Sequence, residues 1–197
     1  MLTLILSLLL SAPIHDSRAD DLAYLVATET GEPEELIRVV MLRESSKKPD
    51  AVLYCTRWEE LTDGPKAGRV ICRDWTTCHG NCRRKPHVWA NRLDVGLFGL
   101  RDVPYRVNGR RTVGTSQPRR FGVSPECPLD PLCSALLASA VIRRLKALPP
   151  KRCNLKGVPN SVGSWLTYYA AGGLASDTMG CDSREKRLEM AGMGGGE

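Results

Sequence analysis

The chain has 197 residues, 42% of them hydrophobic and 25% charged, the proportions of a folded globular protein, which excludes a disordered or coiled-coil polypeptide. Its 28 Lys and Arg against 22 Asp and Glu leave a formal charge of +6. That excess suits polyanionic company such as nucleic acid, an anionic membrane or a cell wall, and equally suits a plain solvated surface.

The first segment, MLTLILSLLLSAP, is apolar from Leu2 to Leu10 and then turns to small residues. It is too short to span a bilayer but matches the apolar region of a secretory signal. Cleavage fits after Ala12 or Ala19, the latter preferred, so residues 1–19 are read as a signal peptide and residues 20–190 as one domain.

Asp20-Asp21-Leu22 opens an amphipathic helix with Leu22, Leu25 and Val26 on one side, stopped by Gly31. Pro33, Glu34 and Glu35 suit the first turn of a second helix, which runs through LIRVVMLRE. Residues 53–90 are polar and cysteine-rich, hold Trp58, Trp75 and Trp89, and show no helical period. They read as a disulfide-braced insertion with little regular structure. A second insertion, about 102–126, carries VPYRVNGRRTV, whose Asn108-Gly109 marks a β-hairpin. Beyond Asp130-Pro131, the stripe Leu137, Val141, Leu145 and Leu148 predicts a helix ended by Pro149-Pro150. Two further helices follow, through SVGSWLTYYAAG to Gly172-Gly173 and through SREKRLEMAG, before a loose tail at 191–197. The expected fold is therefore mainly α, a single helical domain with one braced insertion and a small hairpin.

The eight cysteines form an even set with none in the signal segment, as expected of a chain oxidised outside the cytoplasm. Many pairings are open. Short loops favour Cys78–Cys82 and Cys127–Cys133, which leaves Cys55–Cys72 and Cys153–Cys181. Cys72, Cys78, Cys82 and His87 would supply zinc-type ligands, but their spacing misses the common C-x2-C units, and no metal is expected. No phosphate loop, aromatic RNA platform or acidic metal cluster appears, so neither a cofactor nor a nucleic-acid partner is expected.

On the second helix Ile37, Val40, Met41 and Glu44 stand at i, i+3, i+4 and i+7, on one face. A carboxyl that continues a buried stripe at a helix C-terminus is pushed towards its neutral form by desolvation and by the helix dipole. Such a carboxyl suits the general acid of a glycosidase. The alternative is a Glu that turns out to solvent as the helix ends.

Three stretches follow one another in order: L-x-R-E-S with P-D-A-V, then D-V-G-L-F-G-L, then W-L-T-Y-Y-A-A-G. The series resembles lytic transglycosylases of the lysozyme-like superfamily, whose pattern runs helix-E-S, a G-L-x-Q turn and a helix with Y-N-x-G. The resemblance spans about residues 22–190 and implies an α+β lysozyme-like domain. It implies Glu44 as the catalytic acid, with Ser45, Gly96, Leu97 and Tyr169 (and Gly172) at the substrate. Gly99 stands where the family has Gln and Ala170 where it has Asn, and Lys47 follows Ser46 where the family has an aromatic residue.

The implied substrate is the glycan strand of peptidoglycan, cut between N-acetylmuramic acid and N-acetylglucosamine. Glu44 would protonate the glycosidic oxygen and then take a proton from the muramoyl 6-hydroxyl, closing a 1,6-anhydro ring. A hydrolytic muramidase on the same scaffold would need a second carboxylate, for which Asp94 is the candidate, although a turn-capping Asp is the simpler reading. A non-catalytic peptidoglycan-binding module is the third reading. Arg83-Arg84-Lys85 and Arg119-Arg120 would face anionic wall polymers, peptide carboxylates or solvent alone. The protein is expected to be a periplasmic or secreted monomer without a stable membrane span.

Overall fold

The computed structural model describes residues 16–149, 153, 155, 158–159, 161–169 and 177–193. Most of the expected signal peptide, Ala170, Gly172 and the last four residues of the tail lie outside the described residues. In chain order the elements begin with helices α1 (Asp16–Thr30) and α2 (Glu34–Ser45) and strands β1 (Val52–Glu60) and β2 (Val70–Cys78). Helix α3 (Pro86–Ala90) and strands β3 (Arg92–Val95), β4 (Leu100–Arg101), β5 (Arg106–Val107) and β6 (Arg110–Arg111) come next. Helices α4 (Gln117–Arg120), α5 (Pro131–Lys146), α6 (Leu166–Tyr169) and α7 (Asp177–Met190) complete the chain.

The expectation of a mainly α fold is overturned by a four-stranded antiparallel sheet in the order β2-β1-β3-β4. The stretch read as irregular, residues 53–90, holds both of its nine-residue strands except Val52, the first residue of β1. The reason is physical. Neither face of this ribbon is uniformly buried, so no alternation of apolar and polar residues marks it. The antiparallel backbone ladder holds it instead, with exposed cross-strand ion pairs of Arg57 with Asp74 at 2.7 Å and Arg73 with Glu59 at 2.9 Å adding little. A disulfide between Cys55 and Cys72 clamps the two strands. The other bridges join Cys78 to Cys82, Cys127 to Cys133 and Cys153 to Cys181, and among the described residues no cysteine is free.

The main core lies among the helices. Val26 of α1, Leu36, Ile37, Val40 and Met41 of α2, Ala138, Val141 and Ile142 of α5 and Leu188 of α7 are buried together with Phe98 and Trp165. Asp130 caps α5 by accepting from the Cys133 amide at 2.7 Å. Helix α1 begins at Asp16, four residues before the expected start, and its Ala19 is buried in this core. A smaller cluster of Val52, Cys78, Cys82, Val88 and Val95 ties the sheet to α3. Among the described residues no helix is long and apolar enough to cross a membrane.

The hairpin β5–β6 turns at Asn108 and Gly109, both with positive φ (49° and 79°), as a two-residue turn between twisted strands requires. It is docked on β2 through the Val113 amide, which donates to the Val70 carbonyl at 2.9 Å.

Candidate active site

Helix α2 ends in a left-handed turn. Ser46 and Lys47 take positive φ (52° and 59°), and the Ser46 amide donates to the Leu42 carbonyl. This reversal leaves Glu44 in the last turn of the helix, next to the buried Ser45, with its side chain 22% exposed at the wall of a cleft of about 340 Å³. Asp94, Arg101, Gln117, Arg120, Tyr169 and Arg187 share the lining.

Burial pushes the Glu44 carboxyl above the ordinary carboxylate range, and the nearby charge of Asp94 adds to the effect. Arg187 opposes it, donating from Nη2 to Glu44 Oε1 at 2.5 Å. The guanidinium is itself only 10% exposed, and its Nε has no partner among the described residues. The carboxyl is thus held between a cation that favours its charged form and a low-dielectric wall that disfavours it. The wall prevails.

The turn between β3 and β4 packs against this carboxyl. Gly99, with φ +56°, lies so close that an added Cβ would stand 2.8 Å from Glu44 Cβ and 2.9 Å from Oε2. The glutamine that the resemblance would place at position 99 therefore has no room there. Gly96 (φ +78°) faces the Pro128 carbonyl, and a Cβ would fall 1.7 Å from its oxygen. Ser45 is buried, its hydroxyl 2.9 Å from both the Met41 and Leu97 carbonyl oxygens. Leu97 turns its side chain into the core. Ser45, Gly96 and Leu97 thus fix the turn against the end of α2, and only Gly99 of this stretch reaches the cleft wall.

Tyr169 lies on the cleft wall, and its hydroxyl donates to the Phe98 carbonyl. Its ring meets Trp165 edge-on, centroids 5.1 Å apart. Burial, with the negative charges of Glu44 and Asp94, raises its phenol well above the usual value, so it is neutral. Both oxygens of Asp94 lie 3.0 Å from Nη1 of Arg101. Burial raises the Asp94 carboxyl, and Arg101 opposes the shift.

Sequence reasoning brought Glu44, Asp94, Gly99 and Tyr169 to attention but missed Arg187, Arg101 and Gln117. Gln117 supplies an amide to the cleft from α4, its Oε1 accepting from the Arg101 amide at 2.7 Å. Arg187 had a readable signal. It follows Arg184 by three residues on the face that also bears Leu188, and both arginines are buried. Of the tryptophans, Trp58 donates to Asn91 at 2.8 Å and Trp89 stacks with Arg92, while Trp75 is exposed. None of the three lines the cleft.

No protein-family model, curated protein or solved structure matches the chain.

Proposed function

We propose that this chain is an exported peptidoglycan lytic transglycosylase in which Glu44 carries every proton transfer. The observation that bears the reading is the placement of one carboxyl, raised by burial, on a cleft wall beside Tyr169 and Gly99. Glu44 gives its proton to the oxygen linking N-acetylmuramic acid to N-acetylglucosamine as the C1–O4 bond breaks. The carboxylate so formed stands beside Arg187, which stabilises it. It then takes the proton of the muramoyl 6-hydroxyl as O6 closes on C1, and the enzyme returns to its starting state. No water is consumed, so no second carboxylate is needed. The occupation of Asp94 by Arg101 supports this one-carboxylate reading over hydrolysis.

The apolar segment at Leu2–Leu10 and four disulfides support a periplasmic or secreted site of action. Incubation with purified peptidoglycan tests the proposal. Products ending in 1,6-anhydro-N-acetylmuramic acid, lighter by one water than hydrolytic products, are expected in the mass spectrum. Reducing-end products would replace the reading by a muramidase that uses Asp94.

The tight Glu44–Arg187 pair favours one competing reading, a non-catalytic module in which the pair is a structural strut. Binding to peptidoglycan without release of any fragment would establish that reading.

A further inference from the structure

Beside the cleft, outside its wall, three arginines surround one aromatic ring. The guanidinium carbons of Arg111, Arg119 and Arg106 stand 4.9, 5.2 and 6.0 Å from the ring centroid of Tyr105. Tyr105 and all three arginines are exposed. Among the described residues none of the three is paired with a carboxylate, whereas their neighbour Arg110 is taken by Glu60. The group is held in place from both sides. The Thr112 amide donates to the Tyr105 carbonyl at 3.1 Å, and Ser116 caps α4 by accepting from the Arg119 amide at 3.2 Å. Helix α4 also joins the group to the cleft, since Gln117 and Arg120 line the cleft while Arg119 reaches Tyr105.

Three like charges gathered around one ring repel one another, a repulsion that solvent screens and the attraction of each cation to the ring further offsets. An aromatic contact engages the guanidinium plane or charge and leaves N–H donors available, which suits bidentate capture of a carboxylate. An anion arriving here meets three donors already placed and relieves their repulsion.

We infer that the Tyr105–Arg106–Arg111–Arg119 cluster is a docking site for the carboxylates of the peptide stems that branch from the glycan. The inference rests on the proposed substrate. A glycan strand seated in the cleft carries a peptide on each muramoyl unit, and these peptides bear free carboxylates that must leave the cleft across its rim. Arg119 lies on α4, whose Gln117 and Arg120 line the cleft, and it brings the hairpin residues Tyr105, Arg106 and Arg111 up beside that rim. The enzyme would therefore select peptide-bearing strands over bare ones.

The test compares intact peptidoglycan with glycan strands stripped of their stems by an amidase, which leaves only the lactyl carboxylate held close against each muramoyl sugar. Both the rate of fragment release and the amount of protein that sediments with each polymer are measured. The wild-type protein is compared with the triple variant Arg106→Gln, Arg111→Gln, Arg119→Gln, which leaves the cleft lining untouched. Wild type should prefer the stem-bearing polymer, and the triple variant should lose about tenfold of that preference, as the sum of three exposed charge contacts. Its action on stripped strands should be unchanged.

Equal preference in the two proteins would overturn the inference and leave the proposed activity standing. An equal loss on both polymers would also overturn it, since the arginines would then grip the sugar backbone. If wild type cleaves neither polymer, the proposed activity falls and sedimentation decides. Stem-dependent retention that the triple variant loses would support the docking site, and equal retention would overturn it. Should the triple variant not fold, Arg111→Gln and Arg119→Gln are tested singly. Each should lower the preference about two- to threefold, and no change in either would refute the site.

Discussion

Nη2 of Arg187 lies 2.5 Å from Oε1 of Glu44, although 143 residues separate them in the chain. The last helix thereby sets the electrostatics of a carboxyl that the second helix carries. Removing the guanidinium leaves burial and Asp94 opposed only by the weaker charge of Arg43, so the Glu44 carboxyl should rise further. In Arg187→Gln the pH at which Glu44 loses its proton should move upward, and Arg187→Lys should restore part of the shift. Carbon-13 NMR titration of the Glu44 carboxyl measures this without recourse to activity. A titration that does not move would show that the pair has no electrostatic hold on the site.

Glu44→Gln should lower the release of anhydro-muropeptides by about 10²–10⁴-fold, the usual range for loss of general acid–base action. Its stability should respond in the opposite sense. Because burial raises the carboxyl, the folded protein holds the proton at pH values where the unfolded chain has lost it. That contribution is full below the ordinary Glu range and fades as the pH rises through the raised value. The Gln side chain has no such proton to lose. The Tm of the variant relative to that of wild type should therefore increase as the pH rises through that window, as calorimetry at several pH values would show.

Gly96 and Gly99 should fail differently when changed to Ala. At Gly96 the new methyl would meet the Pro128 backbone carbonyl at 1.7 Å, which cannot be relieved without moving the turn. At Gly99 the obstacles are Glu44 Cβ at 2.8 Å, which the end of α2 holds in place, and the carboxyl Oε2 at 2.9 Å, so both the helix end and the carboxyl must shift. Both positions carry the cost of a positive φ, at least about 1 kcal/mol. We expect Gly96→Ala to unfold at a much lower temperature. Gly99→Ala should lose less stability than Gly96→Ala, and it should lose activity because the carboxyl is displaced. Thermal denaturation beside the fragment-release assay separates the two, and a variant at position 99 with full activity would argue against this contact.

Ser45→Ala should destabilise the protein by about 1–3 kcal/mol, since the buried hydroxyl bridges α2 to the Leu97 carbonyl. Denaturant titration provides the number. A change near zero would mean that the Leu97 carbonyl finds another donor.

The Cys153–Cys181 bridge closes a loop with a separation of 28 residues and anchors α7, which brings Arg187 to the cleft. Replacing both cysteines by Ser should cost about 3–4 kcal/mol by the loop-entropy account. It should also weaken the grip on Glu44, so that the carboxyl titrates higher, as in Arg187→Gln. Loss of stability with an unchanged Glu44 titration would show that α7 stays docked through Leu188 and Arg184 alone.

Much of the helical part was legible in the sequence. The stripe of Ile37, Val40 and Met41 is buried as its spacing requires, and Asn108-Gly109 turns the small hairpin, because both signals are local. The two short-loop bridges favoured from spacing are present, while the joining of Cys55 to Cys72 and Cys153 to Cys181 is one of three arrangements left open there. Strands β1 and β2 were not legible. Their pairing rests on a backbone ladder between two segments and a disulfide, and a half-exposed ribbon leaves no period in its own sequence. The same limit applies to the site. That Glu44 ends a buried face is written in the order of residues along one helix. What surrounds it, Arg187 from the last helix, Gln117 from α4 and the bare backbone of Gly99, depends on segments far apart in the chain. Their meeting is decided by packing, and packing leaves no mark on the local sequence of any one of them.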